Sequence, residues 1–271
     1  MFFDLGKDTY FCGENRYAMR YFVELSYRGT RYNGWQKQPG APSVQQTLEE
    51  ALSTLLGRPV AVTGAGRTDT GVHAEYYVAH FDTPQAICET DTFLHHLNAI
   101  LSADIAVASV MRVADGAHAR FDARSREYRY YIRDRKSPFF CDLEWEYYVE
   151  LDIDAMNRAA ALLPAQSDFT TFSKLHSGNK TNICKVFEAS WQRMEGMSVF
   201  TIRADRFLRN MVRSLVAAMV DVGRGKTSVN DFADILSSLD RSRATGTAPA
   251  HGLYMSDVTY PPEVFTRSAE R

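Results

Sequence analysis

The chain has 271 residues, 45% of them hydrophobic, which suffices for one large core or two modest ones. Its 31 basic and 33 acidic residues leave a net charge of −2 and exclude a global positive field. A nucleic-acid partner would therefore have to meet a local basic surface.

Cys12, Cys88, Cys141 and Cys184 are scattered and form no CxxC pair. The seven histidines contain no HExxH, and His95 and His96, being adjacent, cannot share a helix face. The spacing predicts no metal site and no dense disulfide framework, and it suits a reducing cytoplasm. No basic-then-apolar leader and no apolar run of membrane-spanning length is present, so a soluble protein away from membranes is expected.

Residues 1–18 carry no clear pattern, and Met19 directly precedes the first good strand, marking it as a candidate natural start. Arg20 to Tyr27 alternates, with Tyr21, Val23, Leu25 and Tyr27 on one face, as a strand does. Gly29 to Pro42 reads as a long loop. Ser43-Val44-Gln45-Gln46 matches a capping box, and Val44, Leu48, Leu52, Leu55 and Leu56 give the following helix one apolar stripe, ended by Gly57. Val60 to Val62 leads into a glycine-bearing turn, and Tyr76 to Phe81 is the strand leaving it. A second helix is expected over Thr92 to Leu101, burying Leu94, Leu97 and Leu101.

Ser125 to Arg133 is strand-like, with Tyr128, Tyr130 and Ile132 on one face. Asp154 to Leu163 reads as a short helix, and Asn182 to Gln192 and Ser198 to Ala204 as strands. Helices over Arg206 to Val222 and Asp231 to Leu239 precede a last strand near Leu253 to Tyr260. Without regular βαβ alternation, the pattern favours an α+β fold with largely antiparallel sheet. It divides into an extension (residues 1–19), an N-terminal domain (20–114), a C-terminal domain (115–262) and a tail (263–271), with the boundary near Ala114 to Gly116.

Chemistry concentrates in Gly66-Arg67-Thr68-Asp69-Thr70-Gly71-Val72-His73-Ala74. The glycines permit a tight turn and close backbone approach to a ligand. Arg67 can hold its planar fork against the Asp69 carboxylate or a phosphate. A reachable, arginine-flanked carboxylate suits a nucleophile; the same pair can equally close a turn with no chemistry at all. Arg120 to Lys136 carries seven basic residues against three acidic ones, interleaved with Phe121, Tyr128, Tyr130 and Tyr131. Cations hold phosphates and rings stack on unpaired bases, which makes Arg120 and Arg126 RNA-contact candidates; the plain reading is an amphipathic strand with a solvated face. On a helix from Arg206, the spacing of Arg206, Arg209 and Arg213 would place all three along one edge, beside an apolar face of Leu208, Val212, Leu215, Val216 and Met219. Gly223 to Thr227 ends like a P-loop, but Val220 stands where the first glycine belongs and a helix precedes it. Asp69-Thr70-Gly71 is also the aspartic-protease triplet, which needs a second copy that only a dimer could supply.

Taken together, the chain resembles the tRNA pseudouridine synthase A (TruA) family from about Arg20 to Pro261. The resemblance runs through Tyr32-Asn33-Gly34-Trp35-Gln36, Ser43-Val44-Gln45, Ala65 to Asp69, Gly71 to Ala74 and His118 to Ala123. It continues through Phe207 to Arg213, Thr247 to Ala250 and Gly252-Leu253-Tyr254. Thr70 departs from the family, where alanine is usual. The resemblance implies two RRM-like (ferredoxin-like) halves sharing a central, mainly antiparallel sheet flanked by helices. It implies conversion of uridine to pseudouridine at positions 38, 39 or 40 of the tRNA anticodon stem-loop, by a homodimer with neither metal nor organic cofactor. Asp69 becomes the catalytic aspartate, Tyr128 the tyrosine beside the target base and Arg213 the active-site arginine, able to pair with Asp69. Arg67 becomes an RNA contact that helps expel the base, and Leu253 an apolar wall of the pocket. A catalytically silent tRNA-binding protein on the same scaffold is the rival that replacing Asp69 would separate.

Overall fold

The computed structural model describes residues 11–174, 180–244 and 246–265. Among these, nine strands pair almost wholly antiparallel and five α-helices flank them, so the α+β class holds. By contact the chain parts into two compact units, Met1–Arg124 with Val258–Arg271, and Ser125–Asp257.

In the first unit β1 (Phe11–Tyr27) carries the alternation read from Arg20 onward, and Tyr21, Val23, Leu25 and Tyr27 are all buried. The strand starts nine residues earlier than expected. Its pairing with the later strand β3 slips between Phe11 and Glu14 and again before Met19, which erases the two-residue period there. Helix α1 (Val44–Leu56) matches its expectation: the Ser43 hydroxyl accepts the Gln46 N–H, the five stripe residues are buried, and Gly57 closes it at φ 67°. The Gln46 side chain donates to Glu50 instead of completing a capping box. β2 (Val62–Gly64) pairs with β3 (His73–Ile87), which begins inside the motif.

Helix α2 (Thr90–Ile100) buries Phe93 and Leu97, with Leu101 just beyond; Leu94 is only half-buried, so the core face is turned by one residue from the expected one. β4 (Ile105–Arg112), not expected from the sequence, pairs with β1 and forms the edge of this unit's sheet. Its register shifts where Glu24 faces Ser109 but Leu25 faces Val107, so buried Ile105 and Val107 are followed by Val110, out of step.

The second unit holds β5 (Ser125–Arg133), a short β6 (Trp145–Glu146), α3 (Ile153–Ala160), β7 (Val186–Met194), β8 (Met197–Ala204), α4 (Met211–Gly223), α5 (Val229–Ser237) and β9 (Leu253–Thr259), whose last two residues group with the first unit. The strand order is β9-β5-β8-β7, with β7 at the edge and β6 parallel to β5. Tyr128, Tyr130 and Ile132 are buried as expected, but Arg133 on the opposite face is buried too, in an ion pair with Glu144. The P-loop lookalike is the end of α4: the amides of Arg224, Gly225, Lys226 and Thr227 bond to the carbonyls of Val220, Val222 and Asp221, leaving no anion cradle.

Cys88 is disulfide-bonded, which the cysteine spacing gave no reason to expect. Cys141 and Cys184 are free thiols, and burial pushes Cys184 up to about 12. Among the described residues no helix is long and apolar enough to cross a membrane.

Candidate active site

Asp69 sits in the turn between β2 and β3, and the turn is built by close backbone approach. Gly34, at φ 79°, lies so near that a Cβ there would come within 2.2 Å of the Thr68 carbonyl oxygen. Trp35 N–H donates to that oxygen (3.3 Å), and Gly71 N–H donates to the Tyr32 carbonyl (3.3 Å). The Val72 N–H closes the turn on the Asp69 carbonyl (3.1 Å), with Gly71 at φ 78°. Below, the Thr68 hydroxyl shares a 2.9 Å hydrogen bond with Tyr27, and the Tyr77 hydroxyl donates to the Gly66 carbonyl. Trp35 stacks on Tyr77 at 4.2 Å.

A second network fixes the approach. Glu49 accepts from the Val62 N–H (3.1 Å), Gln45 (2.9 Å) and Lys37 (3.1 Å), and the Gln45 amide also donates to the Val62 carbonyl. The motif histidine is part of this architecture. His73 is buried, and its Nδ1 accepts the Gly29 N–H at 2.9 Å. The outcome is a half-buried Asp69 flanked by exposed Arg67 and Thr70 on a rigid bed.

Tyr128, Arg126, Arg206, Arg209, Arg213 and Leu253 lie in the second unit; Asp69, Arg67 and Arg120 lie in the first. Tyr128 is only 7% exposed on β5 and packs edge-on against Phe207, with centroids 5.0 Å apart. Leu253 opens β9, the strand next to β5, and is buried. Arg213 Nε donates to the Ala248 carbonyl (2.7 Å) and Nη1 to the Asn210 side-chain oxygen (3.3 Å), while the Ala248 N–H returns a bond to the Arg213 carbonyl (3.0 Å). The same 247–253 stretch wraps Tyr130. Its hydroxyl donates to the Pro249 carbonyl (2.7 Å), burial holds the phenol well above its ordinary pKa, and a Cβ at Gly252 would come within 2.6 Å of its ring.

The arginine edge read from the sequence is overturned. Helix α4 begins at Met211, because Asn210 adopts φ 67° at its N-cap, a left-handed conformation that no α-helix continues. Arg206 and Arg209 therefore lie in the turn before the helix, and only Arg213 is on it. The apolar face fares better, with Leu208, Val212, Leu215, Val216 and Met219 all buried. Arg126 spends one guanidinium nitrogen on the Asp205 carbonyl (2.8 Å), and Arg120 is exposed on a loop.

The comparison with known proteins decides the family. Residues 25–122 and 159–261 match the tRNA pseudouridine synthase family. The chain belongs to it. A relative named tRNA pseudouridine synthase A from Porphyromonas gingivalis is 53% identical over 91% of this chain and 99% of its own length. Relatives of the same name from Bacteroides thetaiotaomicron and Neisseria gonorrhoeae are 48% and 41% identical, covering 93% and 89% of this chain and 94% and 92% of their own lengths. Two of the motif groups in this synthase build local scaffolds. Gly34-Trp35 and His73 shape the Asp69 turn, and Thr247 to Gly252 shapes the bed of Arg213 and Tyr130. Residue-by-residue reading passed over Asn210 and the Ala248 carbonyl as orienters of Arg213. Asn210 stands at the N-cap of α4 in a left-handed conformation and its side chain caps no backbone N–H, so an N-cap signal would not have found its bond to Arg213.

Proposed function

We propose that the protein isomerises uridine to pseudouridine at positions 38, 39 or 40 of the tRNA anticodon stem-loop, with Asp69 as nucleophile on a flipped-out base. The observation that carries this reading is the Asp69 turn itself. A carboxylate is lifted on a rigid, glycine-built bed beside exposed Arg67, in a chain of the tRNA pseudouridine synthase family. The reaction breaks C1′–N1, turns the uracil and joins C5 to C1′. The uridine must first leave the stack, which costs a few kcal/mol that protein contacts offset, and in this reading the exposed Arg67 contacts the RNA beside the turn and helps expel the base. Asp69 then attacks the sugar or the base, or takes a proton, and each route starts from the same carboxylate. Tyr128, its ring fixed by Phe207, holds the uracil by stacking and assists loss of the C5 proton. Arg213, aimed by Ala248 and Asn210, supplies fixed positive charge to the reaction. Leu253 gives the base an apolar wall, and Arg120, Arg126, Arg206 and Arg209 hold phosphates. The family likeness extends the reading to a homodimer working in the cytoplasm, without metal or organic cofactor.

The test is release of tritium from an unmodified tRNA transcript labelled at uridine C5. Wild type is expected to release it, and Asp69→Asn to fall to background while its tRNA affinity stays within a few-fold. Tight binding without release by wild type would overturn the reading in favour of a silent tRNA-binding protein.

A further inference from the structure

Residues 117–122, in the first unit, form a turn whose backbone is tied down from every side. Arg20 grips Asp82 with two 2.7 Å bonds and spends its remaining Nη1 on the Ala117 carbonyl (2.8 Å). The His118 N–H donates to the Asp122 carboxylate (2.7 Å), and the Ala119 N–H to His80 Nδ1 (3.1 Å). The Ala119 carbonyl accepts from Tyr260 (2.5 Å), and the N–H groups of Arg120 and Phe121 both donate to His118 Nδ1 (3.1 and 3.2 Å).

All this order displays one apolar side chain to water. Phe121 is 75% exposed, with its ring lying at 4.3 Å from the His118 ring and the Arg120 guanidinium 5.8 Å from its centroid. His118 in turn meets His80 edge-on at 4.7 Å. The turn holds an exposed aromatic ring in one place, which lowers the ordering cost of any contact that ring makes. The surroundings select the contact. Arg120 is exposed beside the ring and Arg124 is exposed three residues further on, while the turn's only carboxylate, Asp122, accepts a backbone N–H. A rigid aromatic face beside a cation matches an unpaired nucleobase with its flanking phosphate.

We propose that Phe121, backed by His118 and flanked by Arg120, is a stacking platform for an unpaired base of the tRNA substrate. This rests on the tRNA reading above and adds a recognition residue outside its catalytic set. The ring is a contact for binding, distinct from the chemical step, and its order in the RNA-free protein keeps the cost of engagement low.

The experiment uses anticodon stem-loop RNAs carrying a single 2-aminopurine at each unpaired position in turn. Wild type is expected to quench the probe at one position. Phe121→Leu, which keeps an apolar side chain but removes the π-face, is expected to abolish that quench and to raise Kd roughly 5- to 150-fold. The RNA concentration for half-maximal tritium release should rise with Kd in Phe121→Leu, and Phe121→Trp should retain both quench and affinity. Unaltered quench and Kd in Phe121→Leu would overturn the platform, as would a change in self-association by sedimentation with RNA affinity unmoved. Quenching sensitive to Phe121 in a protein that releases no tritium would refute the isomerase reading alone. Tritium release indifferent to Phe121, with unchanged Kd, would refute the platform alone.

Discussion

Asp69 is positioned by the close-packed backbone around its turn, and Gly34, buried against it, is the most direct of its contacts to test. Its φ of 79° lies in the left-handed region, which costs other residues about 1–2 kcal/mol, and a Cβ would press on the Thr68 carbonyl at 2.2 Å. Gly34→Ala is expected to lower stability by at least ~2 kcal/mol in urea unfolding and to slow single-turnover tritium release more than it weakens tRNA binding. Equal stability and rate would show that the turn does not depend on this approach. The sequence drew attention to Asp69 as a carboxylate among glycines after an arginine, but the same pair could equally close a turn, and only the other family motifs tipped the reading towards chemistry. It gave His73 no role of its own, and the structure shows its Nδ1 accepting the Gly29 N–H. Asn210 shows the opposite failure: Arg206, Arg209 and Arg213 kept helical spacing, but one left-handed residue moved two of them off the helix.

Elements were legible where their period was unbroken and lost where it slipped. β5 matched its expected bounds, whereas β4 was missed because its register shift puts buried Val107 and Val110 out of step. The two units nevertheless treat their edge strands alike. In the first, Asn98 of α2 both donates to the Val107 carbonyl and accepts the Val107 N–H, each at 2.8 Å. In the second, Asn157 of α3 does the same to Trp191 of β7, at 2.9 and 2.8 Å. An edge strand exposes backbone groups that invite pairing with another chain, and each asparagine occupies one such pair from a helix. This repeated device supports distant kinship between the halves better than any residue pattern does. Asn98→Ala and Asn157→Ala are each expected to cost ~1–3 kcal/mol and to speed amide exchange at Val107 or Trp191 respectively, leaving the other site unchanged. Unchanged exchange at the matching residue would remove the asparagine from any role in protecting the edge.

At the scale of the whole chain the α+β class was readable, because most helices and strands carried their own period. The return of residues from Val258 onward to the first unit was not. It depends on pairings far apart in sequence, the Ala114 N–H to the Val264 carbonyl and the Arg124 N–H to the Thr259 carbonyl, which no local pattern encodes. Global stability should record one of these long-range associations through pH. His80, in β3, is held neutral: burial, then the charges of Arg20 and His118, push it down to about 4 against the opposing Asp82 and Asp122. Burial lowers His118 as well. An unfolded imidazole titrates near 6.5, so between about pH 6.5 and 4 the unfolded chain binds more protons than the folded one. Stability is therefore fully present above that window and falls as pH drops through it. Asp82, whose pKa Arg20 lowers, acts in the same direction only at more acidic pH, below the ordinary carboxylate value. His80→Asn retains an acceptor for the Ala119 N–H but cannot titrate. It should be less stable than wild type near pH 7, having lost its ring contacts with Phe22 and His118, yet its urea midpoint should fall less steeply between about pH 6.5 and 4.5. Parallel curves for the two proteins would remove His80 as the source of the slope, and a flat wild-type curve would mean that the imidazole leaves its buried place without cost.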